Sequence, residues 1–198
     1  MNSRKPLKEF FLKSIYATSI LSIILFCITL SACQHNSTTT KTHSYAEDRA
    51  LIEDLQARYM FALDFGDIDK YVATFTEDGV LDIGEGEWRS RDTIKKILSS
   101  IPQQEEIPAK DDTSGLYHAT GRHCIANIVI KIEGDTAYGR AYWFHISNNN
   151  PQRSATLDSY GHYEDVMVRV DDGWLFSKRK IYNEQVSKWA ASVNNPSW

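Results

Sequence analysis

Histidines and carboxylates supply the proton-transfer chemistry open to this 198-residue chain. An imidazole with a reference pKa of about 6.5 can take and return a proton near neutrality, and His118, His123, His145 and His162 all fall in the second half of the sequence. Four histidines suggest a metal first, but the chain has no H-E-x-x-H and no closely spaced ligand set, so no metal is expected. It also lacks a G-x-S-x-G elbow, a P-loop and a Rossmann glycine pattern, which leaves hydrolase and nucleotide-dependent chemistry without support. Among the carboxylates, Asp64 in "ALDFGD" (62–67) stands out, because it comes where a helix should end.

That helix is "YAEDRALIEDLQARYMFALDF", in which Leu51, Ile52, Leu55, Tyr59, Ala62 and Leu63 recur at helical spacing. At about 100° per residue, a straight helix turns Asp64 away from the Ile52-Leu55-Tyr59 stripe and toward solvent. Only a break at Phe65-Gly66 would bring the carboxylate inward. His123 alternates with Ile125, Asn127 and Val129, so an inward His123 should carry Asn127 with it. A lone histidine on such an apolar strand can be a hydrogen-bonded core residue or a base. The next strand places Ala137, Gly139 and Ala141 on one face with Trp143 and His145, a series that leaves room for a ligand or for a closely packed helix. Tyr163, on a central strand, reads by itself as an aromatic cross-strand filler, and Tyr59 offers a hydroxyl to a pocket or belongs to the core.

The elements that must position these groups fall into two halves. After the first helix come a short second one, "DIDKYVATF", a strand pair in "VLDIGEGEWRS", and a helix, "RDTIKKILSSI", with Ser90 as its N-cap. Residues 102–117 are rich in turn formers. The last third then consists of long β-branched and aromatic runs, "HCIANIVIKI", "DTAYGRAYWFHIS", "ATLDSYGHYEDVMVRV" and "GWLFSKRKIYN". Helices first and strands afterwards predict an α+β fold, with N-terminal helices packed on a strongly curved antiparallel sheet. Both alternating faces of the run "RHCIANIVIKI" are largely apolar, which predicts that its second face is covered too, as a sheet-to-sheet homodimer would do.

The N-terminus carries Arg4, Lys5 and Lys8, the apolar run Ile15–Leu30, and then Leu30-Ser31-Ala32-Cys33. This pattern is that of a secretory signal with small residues at its cleavage point, and Leu-Ser-Ala-Cys resembles the lipobox of bacterial lipoproteins. The resemblance implies that residues 1–32 are removed and that Cys33 is lipidated. The alternative is an uncleaved single-span anchor. In either case the rest of the chain lies outside the cytoplasm, anchored to the cell envelope. Gln34 after the cysteine points to the outer membrane in a Gram-negative cell, again by resemblance. Residues 33–45, with "QHNSTTTKTHS", read as a polar tether, 46–186 as one domain and 187–198 as a C-terminal tail. Cys27 lies in the signal and Cys33 is the lipidation site, so Cys124 is left alone and no disulfide framework is possible. The formal net charge of −4 becomes more negative once the basic N-terminus is removed, which argues against a nucleic-acid partner.

The segments "RALIEDLQARYMFALDFGDIDKYVATFTEDGVLDI" and "TGRHCIANIVIKIEGDTAYGRAYW", in that order, resemble the SnoaL-like branch of the nuclear-transport-factor-2-like superfamily, in particular its scytalone dehydratase and hexachlorocyclohexane dehydrochlorinase relatives. The resemblance spans Ala46 to Glu184. It implies a cone-shaped α+β barrel enclosing one deep, mostly apolar pocket. It also implies an aspartate just before the D-x-D turn after the first helix and a histidine early in the first long strand, which here are Asp64 and His123. A carboxylate that accepts an imidazole N–H fixes its tautomer and stabilises the imidazolium, leaving the other nitrogen as a base. Helical wheel and resemblance therefore give opposite orientations for Asp64, and the inward one is the expectation adopted. Tyr59, Asn127, His145 and Tyr163 are the expected substrate-binding groups. The implied activity is that of a cofactor-independent lyase or isomerase, such as a dehydratase, acting on a small cyclic apolar or aromatic molecule. The alternative is a non-catalytic ligand-binding or dimerisation module of the same fold.

Overall fold

The computed structural model describes residues 44–101, 121–171, 173–192 and 194–198. The signal, Cys33 and most of the tether lie outside the described residues, as do the turn-rich 102–117 and His118. Helix α1 (Tyr45–Asp64) starts at a capping box in which the Ser44 hydroxyl accepts from the Glu47 N–H and the Glu47 carboxylate accepts from the Ser44 N–H. It stops where Gly66 takes φ 63°, a left-handed conformation that glycine adopts without strain. Asp67 then caps the short α2 (Ile68–Ala73), accepting from the Lys70 N–H. Strands β1 (Phe75–Asp82) and β2 (Glu87–Arg89) form the expected early pair, and Ser90 caps α3 (Arg91–Ser100), accepting from the Thr93 N–H. The four long strands follow as β3 (Gly121–Glu133), β4 (Thr136–Ser147), β5 (Thr156–Val170) and β6 (Gly173–Asn183).

The six strands form one curved sheet in the order β2-β1-β6-β5-β4-β3, and the helices pack on it. The α+β class is therefore as expected. Two details of the expected barrel differ. β1 runs parallel to β6, so the sheet is mixed, and among the described residues β2 and β3 are its edges and it does not close. The parallel pair joins strands distant in sequence, where no hairpin dictates direction, and the run pattern alone carries no information on that pairing.

One face of the sheet and the inner stripe of α1 bury Ile52, Leu55, Tyr59, Ile94, Met167, Trp174 and Phe176. Within that core, Asp165 and Arg179 form a bidentate pair at 2.8 and 2.9 Å with no exposed surface, and the guanidinium lies 4.0 to 4.2 Å from the ring centroids of Phe176, Tyr163 and Tyr59. Burial works against the charge on Arg179, but the Asp165 carboxylate more than offsets it and the guanidinium stays ionised. At the other end of the tyrosine cluster, the hydroxyls of Tyr59 and Tyr71 are 2.6 Å apart.

The outer face of the sheet is partly covered by the chain's own end. Arg140 Nε donates to the Pro196 carbonyl at 3.1 Å, and its guanidinium lies 5.0 Å from the Trp198 ring. No described helix is long and apolar enough to cross a membrane.

Candidate active site

Helix α1 ends against the start of β3, and this junction decides the orientation of Asp64. The carboxylate accepts the His123 backbone N–H at 3.0 and 3.1 Å, and its Oδ1 lies 2.6 Å from His123 Nδ1. Its side chain is only 6% exposed. The wheel expectation of a solvent-facing Asp64 is thus overturned: the helix is regular through Asp64 and ends at Phe65-Gly66, the break that the inward orientation required. A wheel measures direction from the helix axis alone and cannot see a strand that meets the helix at its last turn.

His123 stands opposite His145 in the β3–β4 ladder, and the two imidazoles stack with centroids 4.4 Å apart at 28°. Trp143, two positions along β4, lies 6.1 Å from the His123 ring and stacks on Tyr163 at 6.0 Å. Tyr163 is buried on β5, where burial pushes its hydroxyl well above the ordinary tyrosine range. It therefore remains protonated and able to donate at neutral pH. His145, in turn, places Nδ1 2.7 Å from Oδ1 of Asp158. The structure thus brings Asp64, His123, His145, Trp143 and Tyr163 together on one face, with Tyr59 beneath them, its ring 6.3 Å from that of Tyr163.

Asn127 is not brought there. A β-bulge between Ala126 and Val129 puts Asn127 at φ 52° and reverses the alternation beyond it. Asn127 and Val129 are exposed and line a cavity of about 180 Å³ with Arg140, Tyr142 and the tail residues Asn195–Ser197, while Ile130 turns into the core. The alternation expected for Ile125, Asn127 and Val129 therefore holds only as far as the bulge, which nothing in "CIANIVI" announces.

Sequence reasoning also missed Asp158 and the Asp165–Arg179 pair. The first could have been found only from the register of β4 on β5. The second stands cross-strand on β5 and β6, with Asp165 opposite Arg179. Among the described residues no group of three or more His, Cys, Asp or Glu could hold a metal ion. A cavity of about 860 Å³ lies elsewhere, on the alternate face of β4 and β5, bounded by Tyr142, Phe144, Ile146, Leu157, Tyr160 and His162. Asp64 and His123 line none of the described cavities.

Comparison with known proteins places the fold. None of the curated proteins matches the chain at a significant level. Among solved structures, a Nostoc punctiforme protein of unknown function with a cystatin-like fold is 22% identical, with a TM-score of 0.54 over 70% of this chain and 92% of its own. A scytalone dehydratase-like protein from Novosphingobium aromaticivorans is 23% identical, with a TM-score of 0.52 over 68% of this chain and 83% of its own. A Catenulispora acidiphila protein, whose structure is a complex with S-DNPA, is 25% identical, with a TM-score of 0.53 over 69% of this chain and 93% of its own. The model of the SnoaL-like domain matches residues 44–180, from the capping box of α1 to the middle of β6, and the chain therefore belongs to the SnoaL-like family.

Proposed function

We propose that the chain is a cofactor-independent lyase of the dehydratase type, acting on a small cyclic apolar molecule that carries a carbonyl and, two carbons away, a leaving hydroxyl. The 2.6 Å contact between Asp64 and His123 is the observation that carries this reading. With its Nδ1–H donated to Asp64, His123 has Nε2 free to take the proton next to the carbonyl. The carbon–carbon double bond forms as the C–O bond breaks, and the departing hydroxyl takes a proton from the imidazolium of His145 and leaves as water. One proton is gained at His123 and one lost at His145, and exchange with solvent restores both. Tyr163 supplies a protonated hydroxyl to polarise the carbonyl. Acidity comes from the substrate and these donors, so the reaction needs no cofactor. A screen of cyclic β-hydroxy ketones, followed by the absorbance of the conjugated product, tests this. Turnover that disappears in His123→Ala supports it, and a folded protein inert toward the whole class refutes it.

The second reading is a non-catalytic binding module, and the 860 Å³ apolar cavity away from the Asp64–His123 pair is the observation that favours it. We assign that face instead to a homodimer, because Tyr142, Ile146, Leu157 and Tyr160 are exposed side by side on β4 and β5. Leu30-Ser31-Ala32-Cys33 supports placement of the domain in the bacterial envelope on a lipid attached to Cys33, in the outer membrane if the cell is Gram-negative.

A further inference from the structure

The face that holds Asp64 and His123 carries a second carboxylate–imidazole contact of the same form. His145 Nδ1 lies 2.7 Å from Asp158 Oδ1, as His123 Nδ1 lies 2.6 Å from Asp64 Oδ1. The backbone is built to make it. In the β4–β5 ladder His145 stands opposite Ser159 and Ile146 opposite Leu157, so Asp158 is the extra residue of a β-bulge, released from the ladder. The Ser159 hydroxyl donates to the same Asp158 Oδ1 at 3.2 Å and steadies it. Across the sheet, the His145 ring is packed so closely over Gly121 that no side chain could stand there. The ring is therefore held on three sides: by Asp158 at Nδ1, by Gly121 against its Nε2–Cε1 edge, and by the His123 ring stacked 4.4 Å away.

Stability does not explain the arrangement. Asp158 is 46% exposed, and an ion pair so open to water contributes little to folding. We infer that Asp158 is a positioning residue for His145, and that the site contains two carboxylate-backed imidazoles in place of one. A carboxylate at Nδ1 holds each ring in the Nδ1–H tautomer and fixes its orientation. The Asp64-backed ring then serves as base and the Asp158-backed ring as the acid that protonates the leaving hydroxyl. The catalytic half of this inference rests on the lyase proposal, whereas the tautomer does not.

Imidazole nitrogen-15 NMR on the whole domain separates the two. In the wild type, at a pH where the ring is neutral, His145 should show the Nδ1–H tautomer. Asp158→Ala should convert it to the Nε2–H form that free histidine prefers, leave His123 unchanged, and lower elimination about tenfold or more. Asp158→Glu should restore both signals in part, which a merely structural role for residue 158 would not produce. Because residue 158 is half-exposed in a bulge, Asp158→Ala should fold normally, and the dispersion of the same spectra verifies it. An Nε2–H tautomer at His145 in the wild type overturns the inference, as does an Asp158→Ala variant with unchanged tautomer, or with unchanged rate where the wild type eliminates. A tautomer switch in a protein that eliminates nothing would refute the lyase reading alone and leave the hold of Asp158 on His145 standing.

Discussion

Asp64 accepts hydrogen bonds from both the backbone and the ring of His123, so its removal should act on proton transfer before it acts on folding. Asp64→Asn keeps the shape and loses the charge that stabilises the imidazolium. Asp64→Asn and His123→Ala should each lower elimination by about 10²- to 10⁴-fold, and the double variant should be no slower than the worse single one, because the two serve one proton transfer. Steady-state kcat/KM for the four proteins checks this, and additive losses would separate their roles. Asp165 is a different case. It is the only carboxylate paired with the fully buried Arg179 among the described residues, so Asp165→Ala strands a charge and should cost about 3–5 kcal/mol in urea unfolding. At this scale the sequence was partly legible. The pairing of Asp64 with His123 and the pocket role of Tyr163 were reached through the family resemblance, and His145 and Tyr59 from strand alternation and helical spacing. The wheel misjudged Asp64 because its burial comes from β3, a contact that exists only after the chain has folded.

At the scale of elements, two bulges decide which face a residue serves. The one in β3 sends Asn127 outward and the one in β5 releases Asp158 toward His145. Alternation is legible in sequence, but an inserted residue that shifts its phase is not, and every assignment beyond the shift inverts. The glycine at the head of β3 offers a test without touching a titratable group. Gly121→Ala should push the His145 ring off His123, seen as loss of nuclear Overhauser contacts between the two rings, while α1 and the core remain folded. The tyrosine cluster beneath the site gives β5 and the helices a pH dependence. Burial raises Tyr71 and Tyr163 well above their ordinary range, and Tyr59 also upward. The folded chain therefore holds protons that the unfolded chain loses above about pH 10. This stability is fully present below that pH and is lost as pH rises further toward the folded values. The urea midpoint should fall from about pH 10 upward, and Tyr163→Phe should make the fall shallower. A midpoint as steep in the variant as in the wild type would contradict that assignment.

For the whole molecule, the order of helices before strands was enough to reach the α+β class, and the quoted segments were enough to reach the family. The parallel β1–β6 pair and the open edges were not legible, since they depend on strands meeting across the length of the domain. The apolar outer face of β4 and β5 should sustain a homodimer, and Tyr160→Glu should shift sedimentation toward monomer without loss of secondary structure. Cys33→Ser should abolish lipid labelling and release the domain from membranes, and a variant that still fractionates with membrane would contradict the lipoprotein assignment. The central claim is that the Asp64–His123 pair takes a proton from carbon, and it can be measured without the natural substrate. Deuterium incorporation from D2O into the carbon next to the carbonyl of a small cyclic ketone, followed by NMR, reports that single step. Wild-type protein should accelerate the exchange and Asp64→Asn and His123→Ala should not, whereas a wild-type rate equal to that of buffer, or equal rates in all three proteins, would contradict the claim.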